Sequence, residues 1–334
     1  MISIALNGFG RIGRNFLRTL LVDPEAGKRL KLVALNIGPT NPADLVYGIK
    51  YDTIMGPYHG TVSYENNVLK INNWEIKVFT ERDPLKLPWN ELEIDWVIDA
   101  TGHFTKRTEA EKHLTAGAKK VLITAPATDE DCSIVLGVNE HVYKKADKII
   151  ALGSCTTNAL APTLAVIHKH FGIVYASLTT VHAYTNSQVL LDVNDTKTRL
   201  TRAAALNMIP TSTGATKVIS KIIPDLEGKL MGNAVRIPLA IVSLIDVVLT
   251  LEKEITQDKI NTQFERAKKE ELKGILDITY DPLVSSDFRG NPHSVIIDGS
   301  LTNTQGHMAK VFGWYDNEWA YSLRLKDFLL KYGS

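Results

Sequence analysis

The chain of 334 residues is long enough for two domains, and its formal net charge is only +1. That balance gives no electrostatic case for binding nucleic acid or a membrane surface, and no apolar run approaches membrane-spanning length. Two cysteines cannot form a disulfide framework, and a reactive thiol requires a reducing compartment. Composition therefore predicts a soluble cytoplasmic enzyme or binding protein.

The chain opens with the pattern of a dinucleotide-binding βαβ unit. Apolar residues 2–6 predict a short buried strand and not a signal peptide. A G-x-G-x-x-G motif follows and runs into apolar residues at helical spacing, and residues 30–36 predict a second strand. A plain glycine-rich turn is the alternative, but the strand–helix–strand context favours a pyrophosphate site at the helix N-terminus. The motif reads Gly8-Phe9-Gly10-Arg11-Ile12-Gly13.

The end of the second predicted strand bears on which dinucleotide binds. An Asp or Glu there normally holds the ribose 2′-hydroxyl of NAD, and it would repel the 2′-phosphate of NADP. The sequence Asn36-Ile37-Gly38 has no acid at this point. No arginine replaces it within the turn, although Thr40 or Asn41 could hydrogen-bond a phosphate oxygen. The pattern removes a barrier to NADP without proving its use.

Strands and helices are predicted to alternate through the rest of the first 153 residues. This alternation indicates a doubly wound parallel sheet, with a nucleotide edge resting on Thr101-Gly102. His103 and His113 lack the company that a metal site requires and are interpreted as surface or helix residues. The elements are a helix over 41–50, short strands with a turn over 60–79, a strand over 95–100, a helix over 108–116, and strands over 120–123, 133–136 and 148–152.

Cys155 lies where a predicted strand passes into a predicted helix over 159–171. Ser154 can cap that helix, and its free N–H groups point back at the sulfur and favour thiolate over thiol. The alternative is a buried, inert cysteine, which is the commoner case. The second cysteine, Cys132, begins an apolar run with no histidine close in sequence and fits that alternative.

Beyond residue 172 the pattern changes to long strands. A run over 173–184 carries His182 near its end, and a polar loop over 187–207 contains Arg199 and Arg202. Long strands predict a mixed or antiparallel sheet with helices on one face. The remaining predictions are a hydroxyl-rich turn over 210–215 that opens a helix, strands over 234–238, 241–251, 295–301 and 308–314, and helices over 256–272 and 318–332.

A dinucleotide site, a cysteine at a helix start and a histidine at a strand end occur together in this chain. A thiolate beside an imidazole is the arrangement of an activated nucleophile. Arg236 and the hydroxyls of Thr185, Thr211, Ser212 and Thr213 suit phosphate groups. Each residue alone has an ordinary structural explanation, so the functional interpretation depends on their occurrence together.

These features resemble the phosphorylating glyceraldehyde-3-phosphate dehydrogenase family over nearly the whole chain. The cysteine and tryptophan motifs are the most specific. The matching segments are Asn7-Gly8-Phe9-Gly10-Arg11-Ile12-Gly13-Arg14, Lys50-Tyr51-Asp52, Ala116-Gly117-Ala118-Lys119-Lys120-Val121, Ser154-Cys155-Thr156-Thr157-Asn158, His182-Ala183-Tyr184-Thr185-Asn186, Ile209-Pro210-Thr211-Ser212-Thr213-Gly214-Ala215 and Trp314-Tyr315-Asp316-Asn317-Glu318-Trp319.

The resemblance implies an α/β chain with two domains and an assembly of four copies. Residues 1–153 with 317–334 are expected to form a Rossmann-type, doubly wound dinucleotide-binding domain. Residues 154–316 are expected to form an α+β catalytic domain with a mixed or antiparallel sheet. The loop over 187–207 resembles one that crosses a subunit interface toward a neighbour's cofactor, so a homotetramer is expected.

The resemblance also implies a mechanism. Cys155 attacks the aldehyde of glyceraldehyde 3-phosphate, and His182 takes the hydroxyl proton and lowers the thiol pKa as half of an ion pair. Hydride transfer to NAD or NADP leaves a thioester, which inorganic phosphate attacks to release 1,3-bisphosphoglycerate. The Cys155 backbone N–H is a candidate oxyanion donor. Such an enzyme serves glycolysis or gluconeogenesis, and the sequence leaves its direction open.

The remaining roles are carried over from the family residue by residue, and no metal site is expected. Asn317 is expected to orient the nicotinamide amide, with Tyr321 near the ring. The attacking phosphate is expected at Ser154, Thr156, Thr213 and Gly214, and the substrate phosphate at Thr185 and Arg236. The cofactor-binding set is Gly8, Gly10, Arg11, Ile12, Gly13, Ile37, Arg82, Thr101, Gly102, Thr124, Asn194, Asn317 and Tyr321.

Departures from the family pattern concern the cofactor first. Glycolytic members carry Asp where this chain has Ile37, and usually Leu-Pro where it has Val193-Asn194. In the family both positions face the adenosine ribose. Losing an acid and gaining a polar amide fit a 2′-phosphate, so the prediction is that NADP is accepted and favoured over NAD.

Other departures affect the substrate phosphate. Ser187 replaces an Asp and Leu200 replaces an Arg, which reduces the usual Arg-Arg pair to Arg199. A sister activity on erythrose 4-phosphate, in which hydrolysis replaces phosphorolysis, is the nearest alternative. An inactive nucleotide-binding protein is an alternative of another class, against which the intact Cys155 and His182 argue.

Overall fold

The computed structural model of the protein describes residues 1–194 and 199–334 and divides into two compact units. The first comprises Met1–Ile134, Val142–Gly153 and Ser322–Ser334, and the second comprises Val135–His141 and Ser154–Tyr321. In the described residues, no helix combines the length and apolar character needed to cross a membrane.

The first unit consists of one sheet and its flanking helices. Its strands are β1 (Ile2–Asn7), β2 (Leu30–Asn36), β3 (Val62–Glu65), β4 (Val68–Ile71), β5 (Trp74–Phe79), β6 (Trp96–Asp99), β7 (Lys120–Ile123), β8 (Cys132–Ser133) and β9 (Ile149–Ala151). Its helices up to that point are α1 (Arg11–Leu21), α2 (Pro24–Arg29), α3 (Leu45–Lys50) and α4 (Arg107–Thr115), with short 3-10 turns between some elements.

The sheet of the first unit is wound in both directions from β1. The strand order is β3-β4-β5-β2-β1-β6-β7-β9-β8. All neighbours from β5 to β8 are parallel, and the β3-β4-β5 meander at the other edge is antiparallel. Strands are added on one side of β1 and then on the other. The carboxyl ends of β1, β2 and β6 therefore form the switch point where such sheets bind ligands.

Local sequence explains how the first βαβ unit folds. The apolar face of α1 buries Phe16, Leu17 and Leu20 against the sheet. Gly13 is required because a Cβ there would lie 2.3 Å from the Gly8 carbonyl oxygen. This close approach keeps the start of α1 against the end of β1.

The second unit is built around α5 and an eight-stranded sheet. Its helices are α5 (Cys155–Phe171), α6 (Ala215–Ile222) and α7 (Gln257–Lys269). Its strands are β10 (Ile173–Ala183), β11 (Ile209–Ser212), β12 (Leu230–Ile237), β13 (Ser243–Leu251), β14 (Leu276–Thr279), β15 (Val295–Asp298), β16 (Asn303–Gln305) and β17 (Met308–Tyr315). The last helix, α8 (Trp319–Tyr332), begins in this unit and continues into the first.

This second sheet is mixed and has one covered face. The order is β11-β12-β10-β13-β17-β15-β14, with β16 beside β17. The β10–β12 and β14–β15 pairs are parallel and the others antiparallel. Side chains of α5, α6 and α7 share one apolar cluster with inward-facing residues of the sheet. The predicted fold class is confirmed.

Several local predictions differ from the structure. The strand predicted over 133–136 is limited to β8, and residues 210–212, predicted as a turn, pair with β12 in strand β11. The structure places 317–321 and 135–141 with the second unit, whereas the prediction assigned both segments to the first domain. Val135 explains part of this because it belongs to the apolar cluster of the second unit.

Candidate active site

Cys155 is the first residue of α5, and the turn before it is held by local hydrogen bonds. The Ser154 hydroxyl oxygen accepts from the Thr157 backbone N–H at 3.1 Å, which confirms the predicted cap. Asn158 Nδ2 donates to the Ser154 carbonyl oxygen at 2.9 Å. These bonds fix the N-terminus of α5. The sulfur therefore lies among the N–H groups of the first helical turn, which have no partner within the helix.

His182 lies next to this sulfur. Its Nε2 is 3.6 Å from Cys155 Sγ, which is within the reach of a sulfur hydrogen bond. The imidazole is 5% exposed, and His182 is the second-last residue of β10. In the parallel pairing of β10 with β12, Arg236 is the register partner of His182, so the strand pairing brings a base and a cation together. The predicted cysteine–histidine pair is therefore in contact.

The protonation states of this pair follow from burial and from Arg236. Burial and, to a smaller extent, the Arg236 cation together lower the pKa of His182 to about 3, although the Ala183 carbonyl opposes both. Burial raises the pKa of the Cys155 thiol, whereas Arg236 and the Thr156 N–H lower it. For the thiol, desolvation of the sulfur outweighs those charges and N–H groups, and the expected lowering of its pKa by an ion pair with His182 stays a prediction.

Tyr315 is a site residue to which sequence reasoning assigned no role. Its hydroxyl lies 2.9 Å from Thr156 Oγ1 and 2.9 Å from Thr180 Oγ1, and its ring meets His182 edge-on at 6.0 Å. Burial raises the pKa of this phenol well above its usual range. The residue ties β17 to α5 and β10. Its position inside the specific tryptophan motif was the available signal.

Asn317 is buried, and its side-chain orientation is fixed by Ser243. Ser243 Oγ donates to Asn317 Oδ1 at 3.1 Å and accepts from the Ala183 N–H at 3.1 Å. The amide nitrogen of Asn317 is then the end that remains to donate to a ligand. Tyr321 is also buried, which raises its pKa well above the usual value.

The predicted phosphate ligands other than Arg236 fall into three places in the second unit. Ser154 and Thr156 lie in the first turn of α5, as described above. Thr213 and Gly214 lie between β11 and α6, where Thr213 Oγ1 accepts from the Ala215 N–H at 3.2 Å and Gly214 caps α6. Thr185 follows β10, and its hydroxyl lies 2.9 Å from that of Ser187.

The long loop is only partly described, because residues 195–198 fall outside the described ranges. Asn194 is exposed and borders a shallow cavity of about 570 Å³ with Arg202. Arg202 pairs with Asp192 at 2.6 Å. Asn194 and Ile37 lie in different compact units, so the prediction that both face an adenosine ribose stays a prediction.

The first unit contains a cavity of about 630 Å³ at the switch point of its sheet. The predicted residues Gly8, Gly10, Ile37, Arg82 and Thr101 all line it. Gly10 has open space where a side chain would project, and α1 begins immediately after it without a side-chain cap or an acid in its first turn. The N-terminus of α1 thus suits a pyrophosphate, and the residues present fit a dinucleotide.

The other predicted cofactor residues in this unit lie at or near the same sheet edge. Arg11 forms a two-point ion pair with Asp52, and Ile12 is half-buried in α1. Gly102 follows Thr101 and adopts a φ of +72°, and the Thr124 N–H joins the end of β7 to the Asp99 carbonyl oxygen at 3.0 Å.

A buried side-chain network supports this edge, and it includes His113, which lies in helix α4 as one of the two predicted alternatives. His113 is fully buried in α4, with Nδ1 accepting from Trp89 Nε1 at 3.0 Å and Nε2 lying 3.3 Å from Asp99 Oδ2. The carboxylate also accepts from Asn7 Nδ2 at 2.8 Å and from the Thr101 hydroxyl at 2.7 Å. His103, by contrast, is exposed as predicted.

The turn after β2 contains the residues expected to select the cofactor. Ile37 is 8% exposed, and Thr40 Oγ1 donates to its carbonyl oxygen at 3.1 Å. The Thr40 hydroxyl proton is therefore already used in a hydrogen bond. Asn41 Oδ1 accepts from the Ala43 N–H at 3.1 Å, so the Asn41 amide nitrogen is the end of that side chain that can donate to a phosphate oxygen. Arg82 is exposed on the same cavity. Within the described ranges, no cluster of three or more metal-ligating side chains occurs.

Comparison with known proteins decides the family. The profile described as "Glyceraldehyde 3-phosphate dehydrogenase, NAD binding domain" matches residues 2–107, and that described as "Glyceraldehyde 3-phosphate dehydrogenase, C-terminal domain" matches residues 154–317. The chain belongs to the glyceraldehyde-3-phosphate dehydrogenase family. It is therefore an oxidoreductase with a Rossmann-type domain for a nicotinamide dinucleotide.

Full-length relatives in the glyceraldehyde-3-phosphate dehydrogenase family are close in sequence. "Glyceraldehyde-3-phosphate dehydrogenase 2" of Streptomyces avermitilis is 46% identical over 336 residues, covering 100% of this chain and 99% of the relative. "Glyceraldehyde-3-phosphate dehydrogenase" of Geobacillus stearothermophilus is 47% identical over 328 residues, covering 98% and 96%. The match to the family's C-terminal domain begins at Ser154, which is also the first residue of the long segment Ser154–Tyr321 of the second compact unit.

Proposed function

We propose that the chain is a phosphorylating glyceraldehyde-3-phosphate dehydrogenase in which Cys155 is the covalent nucleophile. The observation that carries the proposal is the 3.6 Å approach of Cys155 Sγ to His182 Nε2 at the capped start of α5. The names of the full-length relatives support the substrate. A sulfur and a base in contact, in an oxidoreductase fold, support attack on an aldehyde carbon and not direct attack by water.

The residues of the second unit divide the chemical work. Cys155 adds to the aldehyde carbon as His182 Nε2 accepts a proton, giving a hemithioacetal. The backbone N–H groups of Cys155 and Thr156 stabilise the developing oxyanion, because they already point toward the sulfur. A bound nicotinamide dinucleotide would supply the hydride acceptor for the oxidation of this hemithioacetal. Asn317, held by Ser243, offers its amide nitrogen to the nicotinamide carboxamide.

Phosphate binding completes the proposed cycle. Inorganic phosphate attacks the thioester while held by Ser154, Thr156, Thr213 and Gly214, and the thiolate of Cys155 leaves. Arg236 and Thr185 hold the phosphate of the substrate. Arg236 suits this role because its buried Nε has no acceptor within the described part of the chain.

For the cofactor, we infer that NADP is accepted and favoured over NAD. The buried, uncharged Ile37 takes the position of the usual acid, and the exposed guanidinium of Arg82 borders the same cavity. Glu81 also borders it, but its Oε1 accepts from the N–H groups of Arg82 at 2.8 Å and Asp83 at 2.9 Å. Those bonds hold Glu81 Oε1 against the backbone of its own turn.

We propose a homotetramer because the second unit exposes apolar side chains on the uncovered face of its sheet. The face of its sheet opposite the helices and the adjoining loop expose apolar side chains that include Tyr175 (63%), Met231 (69%), Leu206 (79%) and Met208 (76%). Exposed apolar area of this kind marks protein interfaces. A second copy of the chain is the proposed occupant.

Steady-state kinetics test the proposal. We expect turnover of glyceraldehyde 3-phosphate to require inorganic phosphate, with a higher kcat/KM for NADP than for NAD and a lower kcat/KM for erythrose 4-phosphate. Sustained turnover without phosphate would overturn the phosphorylating mechanism. An NAD preference of about tenfold or more, equal to about 1.4 kcal/mol, would overturn the cofactor proposal.

A further inference from the structure

Tyr315 is a buried phenol that lies among three hydroxyl-bearing side chains. Its hydroxyl is 2.9 Å from Thr156 Oγ1 of α5 and 2.9 Å from Thr180 Oγ1 of β10. Ser243, its register partner in the β13–β17 pair, is the third hydrogen-bonding partner. Burial raises the pKa of the phenol, so the hydroxyl stays protonated and can donate as well as accept. The proposed catalytic cycle gives this hydroxyl no role.

Thr156 depends on the phenol for its orientation, whereas Ser243 does not. Ser243 Oγ also accepts from the Ala183 N–H at 3.1 Å and donates to Asn317 Oδ1 at 3.1 Å, so two other bonds hold it. A helical threonine divides between two rotamers, because its Oγ1 can bond a carbonyl oxygen of the preceding turn. Thr156 is the second residue of α5, and its bond to Tyr315 selects one of these rotamers.

The selected rotamer puts the Thr156 hydroxyl beside the reacting sulfur. Thr156 Oγ1 is within hydrogen-bonding reach of Cys155 Sγ as well as of Tyr315. A phosphate that attacks a thioester on Cys155 must approach the carbon bonded to that sulfur. In the other rotamer the hydroxyl would bond a carbonyl oxygen of its own chain and would be lost to the phosphate.

We propose that Tyr315 is a positioning residue for the attack of inorganic phosphate on the thioester. It acts through Thr156, whose hydroxyl it keeps aimed at the phosphate, and this role rests on the proposed function. In this step a phosphate oxygen bonds to the acyl carbon, the carbon–sulfur bond breaks, and Cys155 leaves as a thiolate. Water competes for the same carbon without using the phosphate ligands. Tyr315 therefore raises the share of acyl groups that leave as acyl phosphate.

The decay of the acylated protein tests this role. The acyl group is loaded with glyceraldehyde 3-phosphate and NADP in the absence of phosphate, the NADPH is removed, and mass spectrometry follows the loss of the acyl group at increasing concentrations of inorganic phosphate. The slope gives the rate constant for phosphate and the intercept gives that for water. Both reactions expel the same thiolate, so any effect on the sulfur cancels in their ratio.

We expect Tyr315→Phe to lower the phosphate-to-water ratio at least about tenfold, which corresponds to one hydrogen bond from Thr156 to the anion. A ratio within about twofold of that of the unmodified protein would overturn the proposal. The matched control is Tyr280→Phe, which removes a hydroxyl from a tyrosine that is 52% exposed in the same unit. It should leave the ratio unchanged.

A double-mutant cycle tests whether Tyr315 acts through Thr156. Thr156→Val should lower the phosphate-to-water ratio by itself. Adding Tyr315→Phe to that variant should change the ratio by less than about threefold, because the hydroxyl that the phenol holds is already gone. Two effects that multiply would show that the phenol acts by another route and would overturn the proposal.

Thr180→Val keeps the proposal falsifiable if Tyr315→Phe does not fold, because it retains the bond between Tyr315 and Thr156. It should leave the ratio within about threefold, and a fall of tenfold or more would assign the effect to packing around the phenol and overturn the proposal. If the unmodified protein forms no acyl group on Cys155, the proposed function fails. If phosphate removes that group equally well from the unmodified protein and from Tyr315→Phe, only the role of Tyr315 fails.

Discussion

At the residue scale, position 37 offers a sharp test of cofactor choice. Ile37→Asp would introduce a carboxylate where Ile37 now borders the dinucleotide cavity. Because a carboxylate repels a 2′-phosphate and can accept from a 2′-hydroxyl, we expect the NADP/NAD ratio of kcat/KM to fall by at least about tenfold, or about 1.4 kcal/mol. Steady-state kinetics with both cofactors measure the ratio.

The matched control is Ile37→Asn, which has nearly the shape of aspartate without its charge. It should leave the NADP/NAD ratio within about threefold of the unmodified value, since the effect depends on charge. An equal fall in the ratio for both variants would attribute the change to lost packing of Ile37. An unchanged ratio in Ile37→Asp would show that the 2′-phosphate lies elsewhere.

The contact between Cys155 and His182 could be predicted from sequence, but their protonation states could not. A cysteine after a strand and a histidine at a strand end are local signals, and the family motif joined them. Burial sets both pKa directions, and Arg236, which lies 54 positions from His182, becomes a second influence only through the β10–β12 register. Burial is likewise a property of the packed unit and not of the motif.

At the scale of elements, the ends of β1, β6 and α4 are held together by the network of His113. We expect His113→Phe to lower the free energy of unfolding by about 1–3 kcal/mol, because Trp89 Nε1 and Asp99 each lose a buried partner. The KM for the dinucleotide should rise as well, since Asp99 also holds Thr101 at the cavity. Thermal and urea unfolding midpoints, with cofactor kinetics, measure both effects.

The same substitution at an exposed histidine, His141→Phe, is the control for this prediction. Its unfolding midpoint and its KM for the dinucleotide should stay at the unmodified values. If His113→Phe matched that control in both measurements, the network would have no part in supporting the sheet edge.

Long, periodic elements followed from the sequence, whereas short or non-local ones did not. β2 has the predicted bounds and β10 ends one residue before its predicted end, because apolar residues recur along the whole of each strand. α2 has only six residues and depends on Asp23, whose carboxylate accepts from the N–H groups of Glu25 at 3.0 Å and Ala26 at 3.1 Å. β14 pairs with β15 alone, so its strand character comes from a distant segment.

For the whole molecule, the exposed apolar face of the second unit predicts self-association. We expect sedimentation velocity to give a tetramer for the unmodified chain. Met231→Asp should shift it toward smaller species, because a charge would be buried in the proposed interface. Val22→Asp, at a residue that is 61% exposed in the first unit, is the control. A monomeric unmodified protein would contradict the proposed assembly.

The central claim is that oxidation proceeds through a thioester on Cys155, and a single-turnover experiment without phosphate tests it most directly. Mixing the protein with glyceraldehyde 3-phosphate and NADP should produce one NADPH per chain in a burst and then stop. Mass spectrometry should find the acyl group on the Cys155 peptide, and added phosphate should remove it and restart turnover. Continuous NADPH production without phosphate, with Cys155 unmodified, would contradict the account.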